Sequence, residues 1–257
     1  MFGDGLESES AMTNGFKTNG RPYLHKLRYY WRDGGPVVTD VTIALCFAIW
    51  IVEVALRRFA PNGFVLMIGY GSFQPPLATR MPWTWLTSMF LHAPSVFHVL
   101  FNMMTLLVVG PYLERLMGHW NFLALYIACG LGGAAGMEVY CRLSGDWMLS
   151  AYGASGALFG LFAAVLVVFR RTGQDIRTMV VWMAINFAMP FFDHAVAWQA
   201  HVGGFVTGLA LTWLLVNGFR PLRAWSLGKR MLVYGLAVAI ILAGIIVWCV
   251  PVQSTLL

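Results

Sequence analysis

Seven apolar stretches read as membrane-crossing helices, at 40–56, 96–112, 120–140, 148–169, 178–192, 195–216 and 231–252. No other feature narrows the possible folds as far. A bilayer core needs about 17–25 mostly apolar residues per helix, and inside it every backbone N–H and C=O must be paired within the protein. The fifth stretch is shorter than the rest and carries Pro190 near its end. The expected fold class is an all-α membrane protein, a polytopic bundle of seven transmembrane helices. Composition agrees: 59% of residues are hydrophobic and 11% charged, against about 45–50% apolar and 25% charged in soluble domains.

The net charge of +6 is read as a topology signal rather than a nucleic-acid surface, because the charges sit between the apolar runs. Lys17, Arg21, Lys26, Arg28 and Arg32 precede the first run, and Arg115, Arg170, Arg171, Arg177, Arg220, Arg223, Lys229 and Arg230 fall on the same side of later ones. The opposite side holds Arg57, Arg58, Arg80 and Arg142. The positive-inside rule therefore predicts a cytoplasmic N-terminus and an external C-terminus. Residues 1–36 are polar, with no early apolar stretch; they are expected to be a flexible tail without a cleavable signal, leaving the first span to direct insertion. A bacterial plasma membrane is the expected location. The aromatic, nearly uncharged connection from about 57 to 95 is long enough to carry structure of its own, and an interfacial position against the outer leaflet suits it.

On this topology spans two, four and six all run inward from the outer face, so residues near their starts share a depth. Span two opens with His98 and Asn102, four residues apart and so on one helix face. Span four carries Ser155 and span six His201, each near its start. At 1.5 Å per residue these lie on the order of 5–10 Å below the outer surface. Each alone reads as a packing residue: a serine bonding back to its own helix, or a histidine and an asparagine joining helices. Shared depth on three helices points instead to acyl transfer. The serine is the nucleophile and a neutral His201 its base, with His98 and Asn102 as oxyanion donors contributing about 3 kcal/mol each. A nearby helix N-terminus would add free backbone N–H groups. No carboxylate in spans four to six is placed to orient His201, so the pair is a dyad. Gly156 with Gly160, and Gly204 with Gly208, form two GxxxG patterns that permit close helix approach.

At these residues the chain resembles the rhomboid family of intramembrane serine proteases, over roughly residues 40–216. "HVLFN" is similar to the family's HxxxN, "GASG" to GxSG, "AHVGG" to AHxxG, and "GPYLERLMG" to a GxxxExxxG element carrying Glu114 and Gly118. "PWTWLTSMFLH" resembles the membrane-associated first loop. The resemblance implies Ser155 as nucleophile and His201 as general base. It implies an oxyanion hole from the Ser155 backbone amide, His98 and Asn102, with Gly153, Gly156, Phe159, Gly204 and Glu114 in support. A gate at about 192–198 would admit substrate and water, and the seventh span would be a helix appended to a six-helix core. Two positions depart from the family pattern. Thr84 follows Trp83 where arginine is usual, which bears on loop anchoring, and Phe159 stands where tyrosine is common.

The organisation expected is a tail at 1–36, a protease core at 37–218, and a loop with one further helix at 219–257. Expected partners are membrane-protein substrates and the bilayer, with no nucleic acid; the oligomeric state is not legible. No cofactor or metal is expected: HExxH is absent, and so is a pair of membrane aspartates. Two other readings remain: a rhomboid-like protein that binds membrane clients without cutting them, and a small transporter with His98 and His201 in a proton path. His25 and His119 are read as solvated cytoplasmic residues, and His92 and His194 as structural or interfacial. Cys46, Cys129, Cys141 and Cys249 are read as small buried residues, with a Cys141–Cys249 bridge as the alternative.

Overall fold

The computed structural model describes residues 30–32, 34–188 and 197–250, and the fold below is that of the compact unit beginning at Pro36. Helix α1 (Val37–Phe59) starts directly after Pro36, its N-cap residue. It ends at Ala60, and Pro61 opens α2 (Pro61–Gly71). A 3-10 turn (Pro75–Leu77) and the single turn α3 (Thr84–Thr87) follow. The long first connection is therefore largely structured. Its tryptophans pin it to backbone: Trp83 Nε1 donates to the Tyr70 carbonyl at 2.8 Å and Trp85 Nε1 to Ala78 at 2.9 Å. Thr84 Oγ1 closes a local turn onto the Met81 carbonyl at 2.7 Å.

Helix α4 (Val96–Met117) and helix α5 (His119–Ser144) are joined by Gly118 alone. Its φ of 83° is one that L side chains rarely adopt, so glycine at this position makes a one-residue reversal possible. Helix α5 ends at Gly145 in the left-handed region. Helices α6 (Ser155–Thr172), α7 (Arg177–Ala188), α8 (Trp198–Asn217) and α9 (Leu227–Cys249) complete the described elements.

Six of these helices, α1, α4, α5, α6, α8 and α9, are long and apolar enough to span a membrane. The fold class is thus an all-α polytopic bundle. Helix α7, 12 residues within the described part, is not among the six, and the rest of the expected fifth span lies outside the described residues. One boundary is corrected outright. The fourth span was expected from 148, but residues 148–154 are not helical. There Ala151 makes an isolated antiparallel bridge to Phe73, with N···O distances of 2.8 and 2.9 Å, before the chain turns at Gly153 and Ala154. The segment is apolar because Leu149 and Ala151 pack against a protein core. Non-helical backbone at membrane depth is tolerated where protein covers it.

The core is a trio, α5, α6 and α8, each packed on the other two. Helix α4 flanks α6, α1 lies on α4, and α9 lies on α5. Glycines set the spacing within the trio. A Cβ on Gly204 would strike the Gly156 carbonyl, and one on Gly208 the Gly160 carbonyl. A second seam, between α5 and α8, brings Gly203 against Gly132 and Gly136. Outward faces are apolar and uncovered, as at Leu45, Ile51, Leu107, Val108, Ile240 and Ile241. In a bilayer those side chains meet lipid, so packing and polar contacts, not apolar burial from water, hold the helices together.

Candidate active site

Ser155 is the first residue of α6, where first-turn amides have no acceptor within the helix and the dipole favours negative charge. What places it there is the preceding non-helical segment, bridged to Phe73 at Ala151. Gly153 N–H donates to the Ser88 carbonyl at 2.8 Å, and Gly153 has φ 139°. A side chain at Gly153 would also intrude: a Cβ would lie 3.3 Å from His98 Nε2 and 3.8 Å from Ser155 Oγ. Glycine keeps that space open.

His201, the fourth residue of α8, is buried, with Nε2 2.9 Å from Ser155 Oγ. The glycine seam beneath allows this reach, because Gly204 lies one turn below His201 with the Gly156 backbone against it. Phe159, one turn below Ser155, stacks on the His201 ring at 4.1 Å and 16°. His201 Nδ1 is buried with no hydrogen-bond partner among the described residues. When Nε2 accepts the Ser155 proton, Nδ1 carries the other one, so nothing described orients the ring through that atom and the Phe159 face does so instead.

His98 and Asn102 project from the start of α4. Ala93 N–H donates to His98 Nδ1 at 3.1 Å. An accepting Nδ1 leaves the neutral ring's proton on Nε2, the atom beside Gly153. Asn102 Nδ2 donates to the His98 carbonyl at 2.8 Å, and its second N–H remains for another acceptor. Ser155, His201, His98, Asn102, Gly153, Gly156 and Phe159 line one cavity of about 480 Å³, bounded further by Phe97, Phe101 and Met137.

Glu114 lies elsewhere, at the far end of α4. Its carboxylate accepts Val38 N–H and Thr39 N–H, both at 2.8 Å, and Thr39 Oγ1–H at 2.7 Å. It thereby satisfies first-turn donors of α1. His119 Nδ1 lies 2.5 Å from the same carboxylate. His119 is therefore a largely buried partner and not a solvated residue, a correction that follows from the one-residue turn placing it beside Glu114. Cys141 and Cys249 are both buried free thiols, so no bridge joins them. His25, His194 and most of the expected gate lie outside the described residues.

Two buried carboxyls escaped the sequence reading. Glu53 on α1 is fully buried, with both oxygens accepting His92 N–H at 3.1 and 3.2 Å. Glu138 on α5 is fully buried with no partner for either oxygen among the described residues. The signal was available, since an ionisable residue within an apolar span is itself a flag. His92, in the connection before α4, is fully buried. Burial, then the neighbouring His98, pushes its pKa down to about 4, so the ring is neutral and its Nδ1–H donates to the Phe90 carbonyl at 3.2 Å.

A polytopic helical bundle with a hydroxyl–imidazole pair facing a cavity between its helices is the class of protein these features define. Within that class, a family profile described as Rhomboid domain matches residues 79–218. The "Putative rhomboid protease YdcA" of Bacillus subtilis (strain 168) is 33% identical over 193 residues, covering 71% of this chain and 89% of that protein. "Rhomboid-like protease 3" of Toxoplasma gondii is 27% identical over 248 residues, 91% of this chain and 88% of that one. "RHOMBOID-like protein 1" of Arabidopsis thaliana is 35% identical over 136 residues, and this chain spans 33% of its length. The chain belongs to the rhomboid family, an integral membrane family whose named members include proteases.

Proposed function

We propose that this protein is an intramembrane serine endopeptidase that cuts peptide bonds in or near transmembrane segments of other membrane proteins. The observation that carries the reading is the 2.9 Å Ser155 Oγ–His201 Nε2 contact at the cavity. His201 Nε2 takes the Ser155 proton as Oγ attacks the scissile carbonyl, then returns it to the leaving amine. Developing negative charge on the carbonyl oxygen meets the Ser155 amide, His98 Nε2–H and the remaining Asn102 N–H. Water then attacks the acyl-enzyme with His201 again as base. Substrate segments reach Ser155 as extended backbone, so residues that weaken a helix near the cleavage point favour cutting.

On this reading residues 37–218 are the protease core, α7 belongs to the fifth of seven crossings, and 219–257 adds a helix outside the core. Residues 1–36 are a cytoplasmic tail, and the active-site end of the bundle faces outward. Purified protein reconstituted with a model transmembrane substrate tests the activity. Wild type should cut, and Ser155→Ala and His201→Ala should each lower the rate by about 1,000-fold or more. A fluorophosphonate probe should label wild type and not Ser155→Ala. Folded wild type that neither cuts nor labels overturns the protease reading in favour of a client-binding protein.

A further inference from the structure

We propose that Glu53, which touches none of the reacting groups, is a positioning residue for the oxyanion donor His98. The proposal rests on the protease reading above and extends it to a helix outside the central trio. Helix α1 holds the short loop ahead of α4 at two points one turn apart. Glu53 accepts His92 N–H with both carboxyl oxygens, at 3.1 and 3.2 Å. Trp50 Nε1 donates to the Ala93 carbonyl at 3.2 Å. Between those two grips lies the Ala93 N–H, which donates to His98 Nδ1 at 3.1 Å. Pro94 follows, restricting Ala93 to extended backbone. The loop therefore delivers one N–H at a set position and direction.

That N–H decides which nitrogen of His98 carries the proton. An imidazole accepting at Nδ1 is protonated at Nε2, and Nε2 is the atom beside Gly153, on the cavity that Ser155 also lines. If the loop slips, Nδ1 loses this donor, the balance shifts toward the other tautomer, and in that tautomer Nε2 presents a lone pair to the forming oxyanion. A buried carboxyl at membrane depth is costly, and among the described residues no cation is bonded to Glu53. Its hydrogen bonds go to a loop backbone instead. His92 supports the same frame, folding its Nδ1–H back to the Phe90 carbonyl at 3.2 Å while its ring sits 5.5 Å from that of His98.

The test is a mutant cycle on full-length protein with the model substrate, read together with ¹⁵N-histidine NMR. Glu53→Gln keeps an oxygen acceptor and should stay within about 3-fold of wild type. Glu53→Leu should lower kcat by about 10- to 100-fold with KM nearly unchanged, the cost of a misplaced group. In a His98→Ala background Glu53→Leu should cost less than about 2-fold more, since the loop then has no ring to orient. NMR should find His98 unprotonated at Nδ1 in wild type and Glu53→Gln, and mixed in Glu53→Leu. Should Glu53→Leu fail to fold, Trp50→Phe removes the second grip and carries the same expectations. The proposal is overturned if the Glu53 and His98 effects multiply in full. It is overturned equally if the wild-type ring is protonated at Nδ1, or if neither Glu53→Leu nor Trp50→Phe shifts the tautomer. If wild type cuts nothing, the protease reading falls by itself, while the tautomer measurement still decides the role of Glu53.

Discussion

Helices α8 and α1 are attached to the rest of the bundle by opposite means. Helix α8 meets α5 and α6 backbone to backbone, with Gly204 and Gly208 against the carbonyls of Gly156 and Gly160, and Gly203 against α5. Helix α1 has a largely uncovered apolar surface and is tied near its ends by side-chain carboxyls. Glu114 caps its start, and its own Glu53 grips the loop before α4. The first attachment is steric, and a single methyl group defeats it. The second is polar, so it can be weakened in steps. A serine and a histidine on separate helices within 2.9 Å of each other require the first kind of contact. Holding a loop in register requires only the second.

The largest effect expected from breaking this contrast is at the seam. Gly204→Val should abolish cleavage and folded yield together, because the clash is with backbone and no rotamer relieves it; size-exclusion profiles and Ser155 probe labelling check this. Next comes the polar tie. Glu114→Leu should cost about 3 kcal/mol by leaving α1's first-turn N–H groups without their acceptor, seen as a lowered Tm with Ser155 labelling retained at low temperature.

Acid should weaken what the buried His92 contributes to the loop before α4, and spare the seam. Folded His92 titrates near 4 and an exposed imidazole near 6.5. The unfolded chain therefore gains a proton between those values and the folded one does not. The contribution of His92 to stability is full above pH 6.5 and falls toward pH 4, by about 2 kcal/mol at pH 5. Thermal unfolding across that range, with His92→Asn as the flattened control, measures it. The smallest effect is a gain. Glu138→Leu removes a buried carboxyl with no described partner, and should raise stability by about 1 kcal/mol with cleavage unchanged.

Six of the spans and the small group of polar residues near their starts were legible because lipid leaves little latitude: apolar length means a helix, and a polar side chain within it needs a reason. Residues 148–154 were misread for the same cause, since a loop buried in protein is as apolar as a helix facing lipid. His119 looked solvated because its partner Glu114 is reached only through the turn at Gly118. The GxxxG pairs of α6 and α8 were visible, yet the answering glycines of α5 at 132 and 136 were not singled out. A seam is a property of two surfaces, and each helix shows only its own.

The sequence by itself determined that this is a membrane-embedded helical bundle of the rhomboid family, and it pointed to the hydroxyl, imidazoles and amide that the structure brings to one cavity. Those facts follow from hydropathy and from spacing along single helices. Only the tertiary structure decided that Ser155 begins its helix, that Phe159 rather than a carboxylate faces His201, and that α1 reaches His98 through the Ala93 N–H. These depend on contacts between segments distant in the chain, where distance and direction, not residue type, determine the chemistry.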